Sequence, residues 1–294
     1  MSLDASQLSA ISRLFSSAVF REMAGKGKSP LFAKLLNELG SFSLSKLPRV
    51  ADAFDAAFTI LRAAGRRDEY IYRAALTHKV LLGTHSLNTA SMLSEFRVGG
   101  CKADVAILNG TATVYEIKSE RDSLSRLERQ IEAYKTVFAK VFVIAGENHV
   151  DAVLASTSKD VGVMQLSNRY RIRTIRDTKD LPQRISPLAV LDSIRTDEAR
   201  RILERLSVRL PNVPNTLLRA ELEKVFAKLD AKSVHLAMVD TLKQTRNLLP
   251  LSALVDSLPS SLHAAALSLP VRKVDHSRLV KAVNTRMTQA AGWA

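Results

Sequence analysis

The sequence predicts an α/β domain built on a mixed sheet, with helical regions before and after it. Three observations predict it. β-forming runs flank Gly99-Gly100 and Asn109-Gly110, and such glycine pairs are what the tight turns of consecutive hairpins require. Val141–Ala145 is apolar throughout, as a strand buried on both faces would be. Before and after this middle stretch, apolar residues recur at the i, i+3, i+4 spacing of helices.

Composition narrows the function classes. A chain of 294 residues with 46% apolar residues suits two or three domains and is not disordered overall. No apolar run approaches bilayer length, so no membrane partner is expected. MSLDASQLSAISRLF has neither the basic start nor the unbroken apolar stretch of a signal peptide, which points to a cytoplasmic protein. The single cysteine, Cys101, excludes an internal disulfide framework, suits a reducing compartment, and beside the Gly-Gly turn reads as structural. The net charge of +14 suits a polyanion partner, a balance that a merely soluble or ribosome-like basic protein shares.

The elements follow in order. Residues 1–66 form an N-terminal helical region, with Leu8, Ile11, Leu14 and Phe15 on one stripe and Leu31, Leu35, Leu36 and Leu39 on another. Gly25, Gly27 and Gly40 punctuate it, and a helix over Ala51–Ala64 stops at Gly65. Residues 67–183 form the α/β domain. It opens with a helix over Asp68–Leu82, whose acids suit a helix N-terminus. Strands Ser94–Val98 and Lys102–Leu108 come next, then a strand carrying Glu116, and a helix that Asp122 caps and that runs through Val137. A right-handed crossover leads to Val141–Ala145, followed by a helix over His149–Ser156, a strand over Val161–Leu166, and an edge strand over Asn168–Lys179. Residues 184–294 are helical again, over Leu188–Ile194, Asp197–Val208, Leu217–Leu229 and Val234–Thr245, with weaker segments divided by prolines and no firm repeat.

The hairpins carry the chemistry. A two-residue loop at Gly99-Gly100 pairs Val98 with Cys101 and so sets Glu95 opposite Asp104, with Cβ atoms about 4.5–5.5 Å apart. Carboxylates that close repel, and a cation between them is the natural remedy. At Asn109-Gly110 a strict two-residue loop would pair Asp104 with Tyr115 and turn Glu116 away. An odd loop, or a bulge at Gly110, would instead put Asp104 and Glu116 on one face. Glu116 and Lys118 share a face in either case, with Tyr115 and Ile117 on the other. Gln130 and Tyr134 lie one helical turn apart on one face.

Glu95, Asp104, the triplet Glu116-Ile117-Lys118 and the pair Gln130…Tyr134, followed by an apolar strand, resemble the core of the PD-(D/E)XK nuclease superfamily, including the QxxxY motif of its RecB-like members. The resemblance covers roughly residues 68–168, with Ala103 where the motif's name has Pro. It implies a restriction-endonuclease-like fold and a metal-dependent nuclease hydrolysing DNA phosphodiesters, of the kind found in defence, mobile elements or repair. Asp104, Glu116 and the Ile117 carbonyl would hold Mg²⁺ or Mn²⁺, which polarises a phosphoryl oxygen and acidifies water. Lys118 would orient the attacking water and offset transition-state charge. Glu95, with Glu69 as rival upstream acid, would hold a second metal or a metal-bound water. Gln130 and Tyr134 would reach back to the site or to the DNA backbone.

Binding residues are less sharply marked. Arg169, Arg171 and Arg173 alternate with Tyr170, Ile172 and Thr174, an arrangement that fits phosphate contact or protection of a sheet edge. Arg97 and Lys102, on the first hairpin, are further nucleic-acid candidates. Arg200, Arg201, Arg205 and Arg209 form a helical stripe, solvated or against DNA. The C-terminal helices suit a DNA clamp, a homodimer or a partner protein. His78 and His85 lack zinc-like spacing and read as surface or satisfied histidines. The competing reading is an inactivated nuclease fold that binds nucleic acid or protein, and a third is an RNA nuclease.

Overall fold

The computed structural model describes residues 3–39, 43–63 and 65–293; two expected helix-end positions, Gly40 and Ala64, lie outside the described residues. Five helices come first: α1 (Ala5–Arg13), α2 (Ser17–Lys26), α3 (Pro30–Glu38), α4 (Val50–Leu61) and α5 (Glu69–Leu76). The middle holds β1 (Ser91–Val98), β2 (Cys101–Asn109), β3 (Thr111–Lys118), α6 (Leu127–Lys135), β4 (Lys140–Ala145), α7 (Val150–Ser156), β5 (Gly162–Leu166) and β6 (Ile172–Arg176). Helices α8 (Pro187–Ser193), α9 (Thr196–Arg205), α10 (Asn215–Phe226) and α11 (Ala231–Thr245) follow. The chain closes with α12 (Ser252–Asp256), α13 (His263–Ser268), α14 (His276–Val283) and α15 (Met287–Ala290). No helix among the described residues is long and apolar enough to cross a membrane.

These elements group into two compact units. The first takes in the described residues of Met1–His78, Asn168–Tyr170 and Leu249–Ala294, the second Lys79–Ser167 and Arg171–Leu248. This differs from the linear division at 67 and 184. The reason lies in the apolar stripes: Val190 of α8, Leu203 of α9, Phe226 of α10 and Met238 of α11 belong to one core with the sheet residues Ala106, Val114 and Val143. Helices α8–α11 therefore complete the α/β unit. Residues 249–294 instead pack with the N-terminal helices, where Val50 N–H donates to the Thr285 carbonyl and Met287 N–H to that of Pro48.

In the first unit the helix starts follow their sequence signals. Asp4 caps α1 in a capping box with Gln7, Ser16 caps α2, and Ser29 caps α3 ahead of Pro30. Phe15, Phe54, Phe58 and Tyr70 pack edge-on or stacked around its core. Asp68 caps α5, and Glu69 pairs with Arg73 on the next turn.

The second unit is a six-stranded sheet in the order β1-β2-β3-β4-β5-β6. β1, β2 and β3 run antiparallel, β3, β4 and β5 parallel, and β5 and β6 antiparallel. The short parallel strand β4 is buried along almost its whole length, as its apolar sequence requires. Its Phe142 ring stacks on Tyr115 at 5.5 Å and lies over Gly162, where a Cβ would overlap it. The expected strand over Asn168–Lys179 shrinks to Ile172–Arg176, because Arg176 turns inward to the Val161 carbonyl (2.8 Å) and ends the exposed edge.

His235 of α11 holds the tip of the β2–β3 hairpin. Its Nε2 accepts from the Ala112 N–H (3.4 Å) and lies 3.1 Å from Thr111 Oγ1, which makes the ring the neutral Nδ1–H tautomer. Burial pushes its pKa down from the ordinary 6.5, against a smaller opposing pull from Asp180. The unfolded chain therefore takes up a proton more readily, and this contribution to stability is intact above the unfolded value near 6.5 and lost as pH falls below it. Urea denaturation between pH 8 and 5 should show stability falling through this window, with a shallower fall in His235→Gln. A second test is Gly162→Ala, which forces the Phe142 ring to move and should cost about 1–3 kcal/mol in the same assay.

Candidate active site

The site grows out of two turns. Val98 pairs with Cys101 across a two-residue loop in which Gly99 takes positive φ (54°). That count places Glu95 across from Asp104, between the pairs Ser94↔Val105 and Phe96↔Ala103. At the second turn Asn109 pairs with Thr111, leaving Gly110 alone at the tip with φ 69°. The loop is therefore odd, and the ladder that ends at Val105↔Tyr115 sets Asp104 across from Glu116. Beyond that last pair the Asp104 carboxylate takes over, accepting the Ile117 N–H at 2.7 Å.

Backbone direction on β3 follows from its two neighbours. The Lys118 carbonyl accepts from Gly146 N–H on the β4 side, whereas Ile117 N–H points to Asp104 on β2. Adjacent residues of a strand face opposite neighbours, so the Ile117 carbonyl also points towards β2. Tyr115 and Ile117 are buried on one face. Glu116 and Lys118 turn to the other, which α6 covers, and are buried despite their charge, 2% and 5% exposed.

Helix α6 closes the network. Lys118 Nζ donates to Glu116 Oε1 and to Gln130 Oε1, both at 2.9 Å. The Gln130 amide in turn donates to Glu116 Oε1 at 2.5 Å, bridging acid and base. The Tyr134 hydroxyl lies 2.8 Å from both Glu116 Oε2 and the Lys102 carbonyl, and its one proton serves one of them at a time. Burial first, then the Glu116 charge and hydrogen bond and the Asp104 charge, hold the Tyr134 phenol far above its usual pKa. It is a permanent donor at any working pH. Asp122 does not cap this helix as expected. Its carboxylate accepts from Ser119 N–H and Oγ–H, each at 2.8 Å, and so fixes the turn after Lys118, while the helix begins only at Leu127.

Asp104, Glu116, Lys118, Gln130 and Tyr134 are thus brought together, with the Ile117 main chain beside them. Glu95 is not. Its backbone turns left-handed (φ 57°), and its exposed carboxylate pairs with Lys102 Nζ at 2.5 Å. Among the described residues no three Asp, Glu, His or Cys side chains converge as a cation cage. The donor set that remains is of the kind a hard divalent ion takes: two carboxylates on neighbouring strands and one carbonyl directed towards β2. Arg97 is exposed, as are Arg171 and Arg173 at β6; Arg169 is exposed in the first unit. His85 Nδ1 accepts from the Asn109 amide at 2.8 Å, and His78 Nε2 lies 3.0 Å from the Ser260 carbonyl.

A family model described as bacteriophage P4 protein cII matches residues 62–251, well over half of the chain. Protein cII of Enterobacteria phage P4 is 29% identical over 161 residues, 53% of this chain and 60% of that protein. The chain thus spans about 60% of the length of this curated relative. A protein of unknown function from Silicibacter pomeroyi overlaps 45% of this chain and 86% of its own, at 19% identity and a TM-score of 0.31, a likeness too slight to carry an argument.

The buried pair can be tested for its energetics. Lys118→Met strands the Glu116 carboxylate among neutral donors and should cost about 3–5 kcal/mol. Adding Glu116→Gln to it should recover much of that loss. A double-mutant cycle in urea reads the coupling, and additive single losses would mean that the two side chains do not act as a pair.

Proposed function

The chain belongs to the bacteriophage P4 protein cII family, and we propose that this protein is a metal-dependent DNA nuclease built on a restriction-endonuclease-like sheet. One observation carries the reading: Asp104, Glu116 and Lys118 lie together on neighbouring strands, and Gln130 and Tyr134 of the following helix hold Glu116 and Lys118 in place. Buried charge of this kind costs stability, and a fold that keeps it gains chemistry in return. The phage relative is in keeping with a mobile-element setting.

Asp104, Glu116 and the Ile117 carbonyl would hold Mg²⁺ or Mn²⁺, which supplies Lewis-acid polarisation of the phosphoryl oxygen and a more acidic water. Lys118 presents an ammonium beside Glu116, where it would orient the attacking water and offset charge on the phosphoryl oxygens. Gln130 holds that ammonium through its carbonyl oxygen, so the lysine reaches its position without relying on Glu116 alone. Tyr134 fixes which way Glu116 Oε2 points.

A second reading, an inactivated fold that binds nucleic acid, has one observation in its favour. Glu116 Oε1 is already satisfied by Lys118 and Gln130, so the cluster is stable as it stands. Cleavage separates the two. Linear, circular, single-stranded and branched DNA, with RNA beside them, are incubated with the protein in Mg²⁺, Mn²⁺ or EDTA. DNA should be cut with metal and spared in EDTA. Lys118→Ala should lose at least about 100-fold in rate while calorimetry still finds metal binding. Asp104→Ala should lose both. Intact DNA with either metal, despite DNA binding, would decide for the second reading.

A further inference from the structure

Arg126, Gln130 and Tyr134 fall at i, i+4 and i+8 and so share one stripe of α6. The inner two members hold Glu116 and Lys118. Arg126 stands one turn further out, about 5.4 Å along the axis, at the exposed start of the helix. Among the described residues its guanidinium has no carboxylate partner, unlike Arg184, Arg219 or Arg246, which are ion-paired. Its position is fixed from the site side. Asp122 clamps the turn after Lys118, and Leu127 N–H donates to the Leu124 carbonyl, so little slack separates Lys118 from Arg126.

The geometry points to Arg126 as a phosphate-gripping residue that sets the register of the nucleic-acid backbone on the site. This rests on the nuclease reading for what lies at the centre, although the grip itself needs no cleavage. Phosphates follow one another at about 3.4 Å of axis per strand, so the one-turn spacing between Arg126 and Gln130, which holds Lys118, is on the scale of one to two phosphate steps. A guanidinium holds a phosphate through two parallel N–H bonds, which fixes orientation as well as position. Arg129 is the internal comparison. It is also exposed and basic and lies at i+3 from Arg126, but it is turned about 100° from Gln130 and about 140° from Tyr134, away from the side chains that hold Glu116 and Lys118.

Binding of a short fluorescent duplex is measured by anisotropy in EDTA over a range of salt, so that no metal and no cleavage enter. Arg126→Ala should flatten the log–log salt slope by about 0.9 and weaken binding several-fold at low salt. Arg126→Lys should keep the slope, and Arg129→Ala should match the native protein. With Mg²⁺ or Mn²⁺, Arg126→Ala should raise KM much more than it lowers kcat. An unchanged slope in Arg126→Ala, or an equal loss in Arg129→Ala, would overturn the assignment. A flattened slope in a protein that cuts nothing would uphold it and sink the nuclease reading, so the two failures are distinguishable.

Discussion

Asn109 pairs with Thr111 across Gly110, and every residue of β3 takes its face from that pairing. Had the turn held two residues, Glu116 and Lys118 would have exchanged places with Tyr115 and Ile117. The acid and the base would then lie away from α6, and Asp104 would face a phenol ring. Gly110 makes the odd count feasible by accepting φ 69°, which most side chains resist. The ladder then runs only to Val105↔Tyr115, and the Asp104 carboxylate satisfies the next N–H. Turn and site are one construction, in which a backbone conformation at Gly110 decides which side chains meet at Asp104 and Glu116, on either side of it.

Two charges buried to within a few per cent of full enclosure are expensive unless each finds its partners. Here Lys118 has two acceptors, and Glu116 has a donor on each oxygen. A half-satisfied version of this network would be worse than an apolar one, which explains why Gln130 and Tyr134 arrive together on successive turns of a single helix. Gln130 fits the middle of the network because its amide donates to the acid while accepting from the base. Neither Glu nor Lys at that position would serve both sides.

Much of the site was legible because strands and helices convert spacing into geometry with fixed periods. Glu116 and Lys118 two apart, and Gln130 and Tyr134 four apart, leave little freedom once the element types are known. The loop parity at Gly110 was not legible, because Asn-Gly suits loops of more than one length and only the chemistry of Asp104 argued for the odd one. At Glu95 the register position is as counted, but the positive φ of 57° and the side chain's pairing with Lys102 are local features that spacing does not carry. Helix α2 keeps the same helical period, with Val19, Phe20, Met23 and Ala24 buried and Arg21 and Glu22 turned outward, and Ser16 and Gly27 bracket it. The linear domain division failed because an amphipathic stripe shows that a helix is covered and not what covers it. Only the packed core shows that α8–α11 belong with the sheet and residues 249–294 with the N-terminal helices.

The charge of the cluster sets its own requirement. Asp104 and Glu116 against Lys118 leave a formal −1 in a protein whose net charge is +14. A phosphodiester drawn in by the basic surface would meet repulsion at the point where it must come closest. A divalent ion held by the two carboxylates would change that local charge to +1 and reverse the sign of the interaction. On the proposed nuclease reading, the long-range field would bring the polyanion in, and the local field would admit it only once the acids were neutralised. Within the buried network Glu116 meets one cation, Lys118, while Gln130 and Tyr134 supply neutral donors, so the two carboxylates keep a net negative charge among themselves.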